Sequence, residues 1–177
     1  MKNITKIGIG VGVGVGIVFL FVGLNLYSIS NLQFRGHNFN SIDFSKFDLA
    51  DASMDFQLEA CNPTFFPASF KNLKVDIAYK STSFGTLTVW GKTVPPNSAS
   101  VVDGRLKVNA VAMAGLFLEL MKAEFSHTKP NVDPNELRYI ATLDAPVLGV
   151  IPFSLSKTYL PTEFFDMLQG QGNAYSC

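Results

Sequence analysis

Little in this sequence is equipped for chemistry. Its 177 residues hold only two cysteines, Cys61 and Cys177, and two histidines, His37 and His127. Two cysteines cannot form a disulfide-dense scaffold, and no Cys/His spacing matches a metal site. No Gly-x-Ser-x-Gly elbow is present. A glycine run near the N-terminus lacks the preceding strand and the Gly-Lys-Ser/Thr ending of a phosphate loop. Neither sign of charge is in excess, with 14 basic and 14 acidic residues and no Lys/Arg run. That balance argues against a nucleic-acid-binding surface and against an acidic tail. The acidic residues fall singly on polar strand faces, where solvation is their ordinary state. No catalytic residue, cofactor or metal is expected, and the chain is read as a non-enzyme.

Apolar residues are plentiful, among them 16 Phe. From Ile7 to Leu26 no charge appears, and Asn25 is the one strongly polar residue. The segment "GIGVGVGVGIV" alternates with period two, which usually marks a strand. A lone strand in lipid would leave its amides and carbonyls unpaired at several kcal/mol each, whereas a glycine costs a helix only about 1 kcal/mol. The expectation is therefore a transmembrane helix over 7–27, since about 20 residues at roughly 1.5 Å each cover the hydrocarbon core. On such a helix Gly8, Gly12, Gly16 and Gly23 share one side, and Gly10, Gly14 and Asn25 lie roughly opposite. Small residues four apart allow helices to approach closely. Two readings stand: these stripes pack against partner helices or a second copy, or the run is simply apolar enough to insert.

Lys2 and Lys6 precede the run, and no basic residue follows it until Arg35. The positive-inside rule then leaves residues 1–6 as a cytoplasmic tip and exports the rest. A cleaved signal peptide is the rival, with Ser28 and Ser30 as the small residues before a cut. In an exported domain Cys61 and Cys177 could pair. The alternative is one small buried thiol and one loose thiol at the chain end.

Residues 28–41 read as a linker. Beyond it, period-two patterns recur in "SMDFQLEA", "NLKVDIAYK" and "FGTLTVW", with a further short strand around Leu106 and Val108. Each has an apolar and a polar face, as antiparallel sheets half open to water do. From Asn109, a fair N-cap, "AVAMAGLFLELMKAEF" reads as a helix buried against a sheet. "SHTKPNVDPN" is a loop, "LRYIATLDA" a strand, and "VLGVIPFSLSKTYL" the last strand, bent near Gly149 and Pro152. Thr162 begins a short helix, "EFFDMLQ", within a terminal segment 162–177. Trp90, Phe65 and Phe66 are expected in core or turn packing, with an exposed recognition patch as the alternative. Strands dominate and one helix interrupts them, which fits an antiparallel two-sheet sandwich.

The stretch "FQLEACNPTFFPASFKNLKVDIAYK" ends a strand in Asn62-Pro63 and continues through Phe66-Pro67 to an alternating strand. It resembles the second late-embryogenesis-abundant group, whose core is the water-stress and hypersensitive-response (WHy) domain. Thr64 departs from that family's Asn-Pro-Asn turn. The resemblance covers roughly 42–161. It implies an immunoglobulin- or fibronectin-III-like β-sandwich with one inserted helix and no known catalysis. Asn62, Pro63 and Pro67 then read as structural, Pro63 ending strand pairing and Asn62 bonding the turn backbone. The expected function is a membrane-anchored module outside the cytoplasm, protecting under water stress or binding lipid or an envelope partner. The alternative is an accessory subunit of a larger membrane complex held by the glycine-rich helix.

Overall fold

The computed structural model describes residues 19–37, 52–115, 118, 136–147, 149–169 and 177. Gly8, Gly10, Gly12, Gly14, Gly16, His127 and the loop expected over 126–135 lie outside the described residues. The fold is mainly β. Helix α1 (residues 19–30) leads into strand β1 (Gln33–Gly36), followed by β2 (Ser53–Asn62), β3 (Ala68–Ser69), β4 (Asn72–Tyr79), β5 (Thr82–Trp90), β6 (Thr93–Val94) and β7 (Ser98–Val108). A helical segment, α2 (residues 110–115), precedes β8 (Leu137–Val147), β9 (Ile151–Tyr159) and α3 (Pro161–Gln169).

Seven strands form one antiparallel sheet in the order β1-β2-β7-β5-β4-β8-β9, and β3 pairs with β6 in a small second sheet. The side-chain alternation read from the sequence sets the inner face. Leu58 and Ala60 on β2, Leu73 and Val75 on β4, Leu87 and Val89 on β5, and Tyr139, Leu143 and Ala145 on β8 all enter one core. Phe34 of β1 and Phe164 and Leu168 of α3 join the same core. Residues from strands at opposite ends of the sheet share one interior because the sheet curls, with α3 packed against both β1 and β8. Phe164 stacks on Tyr139 at a centroid distance of 4.3 Å. Burial there raises the Tyr139 hydroxyl above its ordinary pKa of 10.0.

Several expectations need correction. The stretch 28–41 was expected as a linker, but its described part is structural. Residues 28–30 end α1, and β1 pairs with β2 through Gln33–Cys61 to Gly36–Leu58. At the end of helix α1 the Asn31 N–H makes the last helical bond, to the Tyr27 carbonyl (3.2 Å), and Asn31 Nδ2 caps the same carbonyl at 2.7 Å. Strand β7 contains the short strand expected in "VVDGRLKV" and begins three residues before it, at Ser98. Gly104 lies directly opposite Phe56, and a Cβ at that position would collide with the Phe56 ring. Glycine there makes room for an aromatic from the neighbouring strand.

The helix after Asn109 does begin at an Asn cap, with Asn109 Oδ1 accepting from the Ala112 N–H at 3.1 Å. It was expected to be buried. Of its described residues only Ala112 is partly buried, and Val111 is 83% exposed. Helix α3 starts one residue before Thr162. Pro161 takes the first helical position, and Glu163 Oε2 accepts from the Leu160 N–H at 2.9 Å. Among the described residues no helix is long and apolar enough to cross a membrane. Residues 7–18 of the expected span lie outside them.

The outer face of β1-β2-β7 carries cross-strand polar pairs: Arg35 with Glu59, Gln57 with Asp103, and Arg105 with Asp55. The Arg105 guanidinium donates to both Asp55 oxygens at 2.7 and 3.1 Å. That hydrogen bonding outweighs desolvation and holds the Asp55 carboxyl below its ordinary 3.8. A depressed carboxylate stabilises the fold above the unfolded-state pKa, and its contribution is lost as pH falls through the folded value. NMR titration should find Asp55 ionising below the ordinary value, and Arg105→Gln should raise it. An unchanged titration in Arg105→Gln would reject this pairing.

Candidate functional site: an apolar cleft between the sheet edges

The edge strands β1 and β9 are not paired with each other. The curl brings them face to face across a cleft of ≈ 770 Å³. This lies within the size range of small-molecule sites, roughly 300–1,000 Å³. Leu73 and Val75 of β4 and Ala141 and Leu143 of β8 are in its wall, which Leu155 of β9 and Phe34 of β1 continue on the two sides. Ile29, at the end of α1, and Met167 of α3 also line it.

Its charged groups lie near the β9–α3 junction, where Lys157, Glu163 and Asp166 stand with Ser156, while Ser30 and Gln33 are the neutral polar residues on the α1–β1 side. On β9 the inward row runs Phe153, Leu155, Lys157, Tyr159, as the intermediate burial of its apolar members shows. A lysine thus stands where alternation calls for an apolar residue. Its ammonium lies over the Tyr159 ring, 4.5 Å from the centroid. The cleft therefore offers an apolar floor and a small, mixed-charge polar edge. Such a site suits the apolar part of an amphiphile better than a wholly polar ligand.

A second constellation surrounds the Asn-Pro turn. Asn62 is fully buried. Its Nδ2 donates to the Phe66 carbonyl at 2.8 Å and lies 3.2 Å from each of the Val94 and Pro95 carbonyls. Its Oδ1 accepts from Thr64 N–H at 3.1 Å and Thr64 Oγ1 at 2.7 Å. The Thr64 and Ser28 hydroxyls meet at 2.7 Å. Ser28 and Ile29 are 0% and 1% exposed, so this turn is where α1 is built into the domain. Thr64 makes this connection through its hydroxyl.

Pro63 and Pro67 flank that turn, and Cys61, just before it, is joined by a disulfide to Cys177 with a Cα–Cα distance of 5.9 Å. With its sulfur bonded, Cys61 offers no thiolate. Among the described residues no group of three or more His, Cys, Asp or Glu could hold a metal. Phe65 and Trp90, expected in core or turn packing, are instead 67% and 49% exposed. Among the described residues, the sequence-derived Cys61, Asn62, Pro63, Pro67 and Cys177 belong to this turn and its disulfide, and none of them lines the cleft. Strands β1 and β9 form the cleft although more than a hundred residues separate them, so no local pattern announces it. Lys157 on an otherwise apolar row was its one visible signal.

No family model matches this sequence, and no curated protein matches it. Among solved structures, a protein from Archaeoglobus fulgidus is similar at 10% identity with a TM-score of 0.38, covering 73% of this chain and 92% of that one. A FixG-related protein from Vibrio parahaemolyticus is similar at 7% identity with a TM-score of 0.27, covering 73% and 94%. Likeness at that level assigns neither a fold family nor an activity.

Proposed function

We propose that the chain is a membrane-anchored, non-enzymatic lipid-binding module whose immunoglobulin-like β domain stands outside the cytoplasm. The observation that carries this reading is the apolar cleft, whose wall includes Ile29 from the helix in which the uncharged N-terminal run ends. A lipid acyl chain supplies the apolar occupant, and the Lys157 edge receives the polar end. The uncharged run from Ile7 to Leu26, with Lys2 and Lys6 before it, supports a single span with the N-terminus inside. The Cys61–Cys177 bond supports an oxidising compartment. Burial of Ser28 and Ile29 speaks for a retained anchor, because a signal cut after Ser28 or Ser30 would remove core residues. The Asn62-Pro63 turn supports the WHy-like sandwich, and with it a task in protection under water stress.

The test is displacement of a fluorescent fatty acid from the full chain in detergent. Ala141→Phe fills the cleft and should weaken binding about tenfold or more, equivalent to about 1.4 kcal/mol. Ile140→Phe, on the outward side of the same strand, should bind as the native protein does. Leu155→Gln gives a second, independent loss by placing an amide in the wall. Equal binding by all four proteins would remove the cleft as the site.

A further inference from the structure

We infer that the Asn-Pro loop, residues 63–67, is a second membrane-contacting element, with Phe65 inserted into the lipid interface beside α1. This rests on the proposed transmembrane anchor and adds how the domain is seated upon it.

The first argument is length. An uncharged run from Ile7 to Leu26 matches a hydrocarbon core of roughly 30 Å. In the structure, however, Val22, Leu26 and Ile29 pack against the domain core. The uncharged residues ahead of Val22, numbers 7–21, give only about 22 Å of helix. To span the core, the level of Val22 to Leu26 must lie in the membrane's outer edge, and whatever packs beside it goes there too.

The second argument is what packs there. Thr64 bonds Ser28, and the Phe66 ring lies 5.9 Å from that of Phe21. The loop therefore follows α1 back toward its N-terminus for about two turns. Phe19, Leu20 and Phe21 are exposed on α1, and Phe65 is 67% exposed on the loop beside them. A patch of that composition costs free energy in water and gains it at an interface.

The third argument is the loop's own backbone. Amides entering an apolar interface must already be satisfied. Pro63 and Pro67 have no N–H. The Thr64 N–H is taken by Asn62 Oδ1 at 3.1 Å, and the Phe66 N–H points at Thr64 Oγ1 at 3.4 Å. The Phe66 carbonyl accepts from Asn62 Nδ2, and the Thr64 carbonyl from the Asn97 N–H. The backbone groups of Thr64 and Phe66, on either side of Phe65, are thus satisfied within the loop and its neighbours while the aromatic rings are presented.

The experiment uses the full chain in phosphatidylcholine vesicles carrying lipids brominated at known acyl depths. Trp90→Phe removes the single native tryptophan. On that background Phe65→Trp, Leu20→Trp and Val111→Trp each report one site, all three exposed so that folding is spared. The Phe65→Trp protein should lose fluorescence most strongly with shallow bromines, and its emission should move to shorter wavelength than in detergent-free water. Leu20→Trp should be quenched at greater depth. Val111→Trp, beyond the far end of β7, should be unaffected. If Leu20→Trp escapes quenching, the anchor itself is refuted. If Leu20→Trp is quenched and Phe65→Trp is not, the anchor stands and the seated loop is refuted. Equal quenching at Val111 would also overturn the proposal, since the domain would then lie flat or be unfolded.

Discussion

Replacing Asn62 with alanine is expected to lower stability by about 3–5 kcal/mol, the largest loss for any single polar side chain in this fold. The estimate follows from what the amide does. Three carbonyls, those of Phe66, Val94 and Pro95, face Asn62 Nδ2, and its Oδ1 receives the Thr64 N–H and hydroxyl. The side chain is wholly enclosed, so water cannot replace it. Each buried group left unpaired costs about 1–3 kcal/mol, and partial relaxation keeps the sum below the arithmetic maximum. Thr64→Val removes a smaller part, including the bond to Ser28, and should cost about 1–3 kcal/mol. Chemical denaturation of both variants in the same detergent checks the order. If Asn62→Ala unfolds at the native midpoint, the turn is ornamental to the fold.

Breaking the Cys61–Cys177 bond is expected to cost about 2–4 kcal/mol, since it closes a long loop and limits the unfolded chain. The separation is 116 residues, and Cys61 lies fully buried in β2 beside Asn62. For a chain of this length that loss lowers the thermal midpoint by about 5–15 °C. Cys177→Ser is the cleaner variant because Cys177 is at the exposed partner end. Reductant should reproduce the shift in the native protein and add nothing to Cys177→Ser. Equal midpoints with and without reductant would show that the bond does not form in solution.

The alternation of apolar and polar residues made β2, β4, β5, β8 and β9 legible, because a half-buried strand has to alternate. Strand β1 was not legible. "QFRG" is too short to show a period, and it becomes a strand only because β2 presents a free edge to it. The start of β7 was not legible: Ser98, Ala99 and Ser100 are small residues with no apolar alternation, and they become strand by pairing with Asn62, Cys61 and Ala60 of β2. The docking of α1 was hidden for a different reason. Val22, Leu26 and Ile29 satisfy a protein interior and a lipid interior equally well, so hydropathy cannot tell the two apart. The exposure of Phe65 and Trp90 was missed through the same ambiguity.

Because Ile29 is a core residue and Ser28 is bonded to the Asn-Pro turn, the β body of this protein has no independent beginning after its helix. A shortened chain starting at residue 31 would carry a hole at one corner and lose the hydroxyl contact that Ser28 makes with Thr64. Shedding by proteolysis near this point would release a damaged body instead of a functional one. The same rigidity denies the head any freedom to swivel, so a twist or tilt of the helix would be conveyed whole to the strands above it.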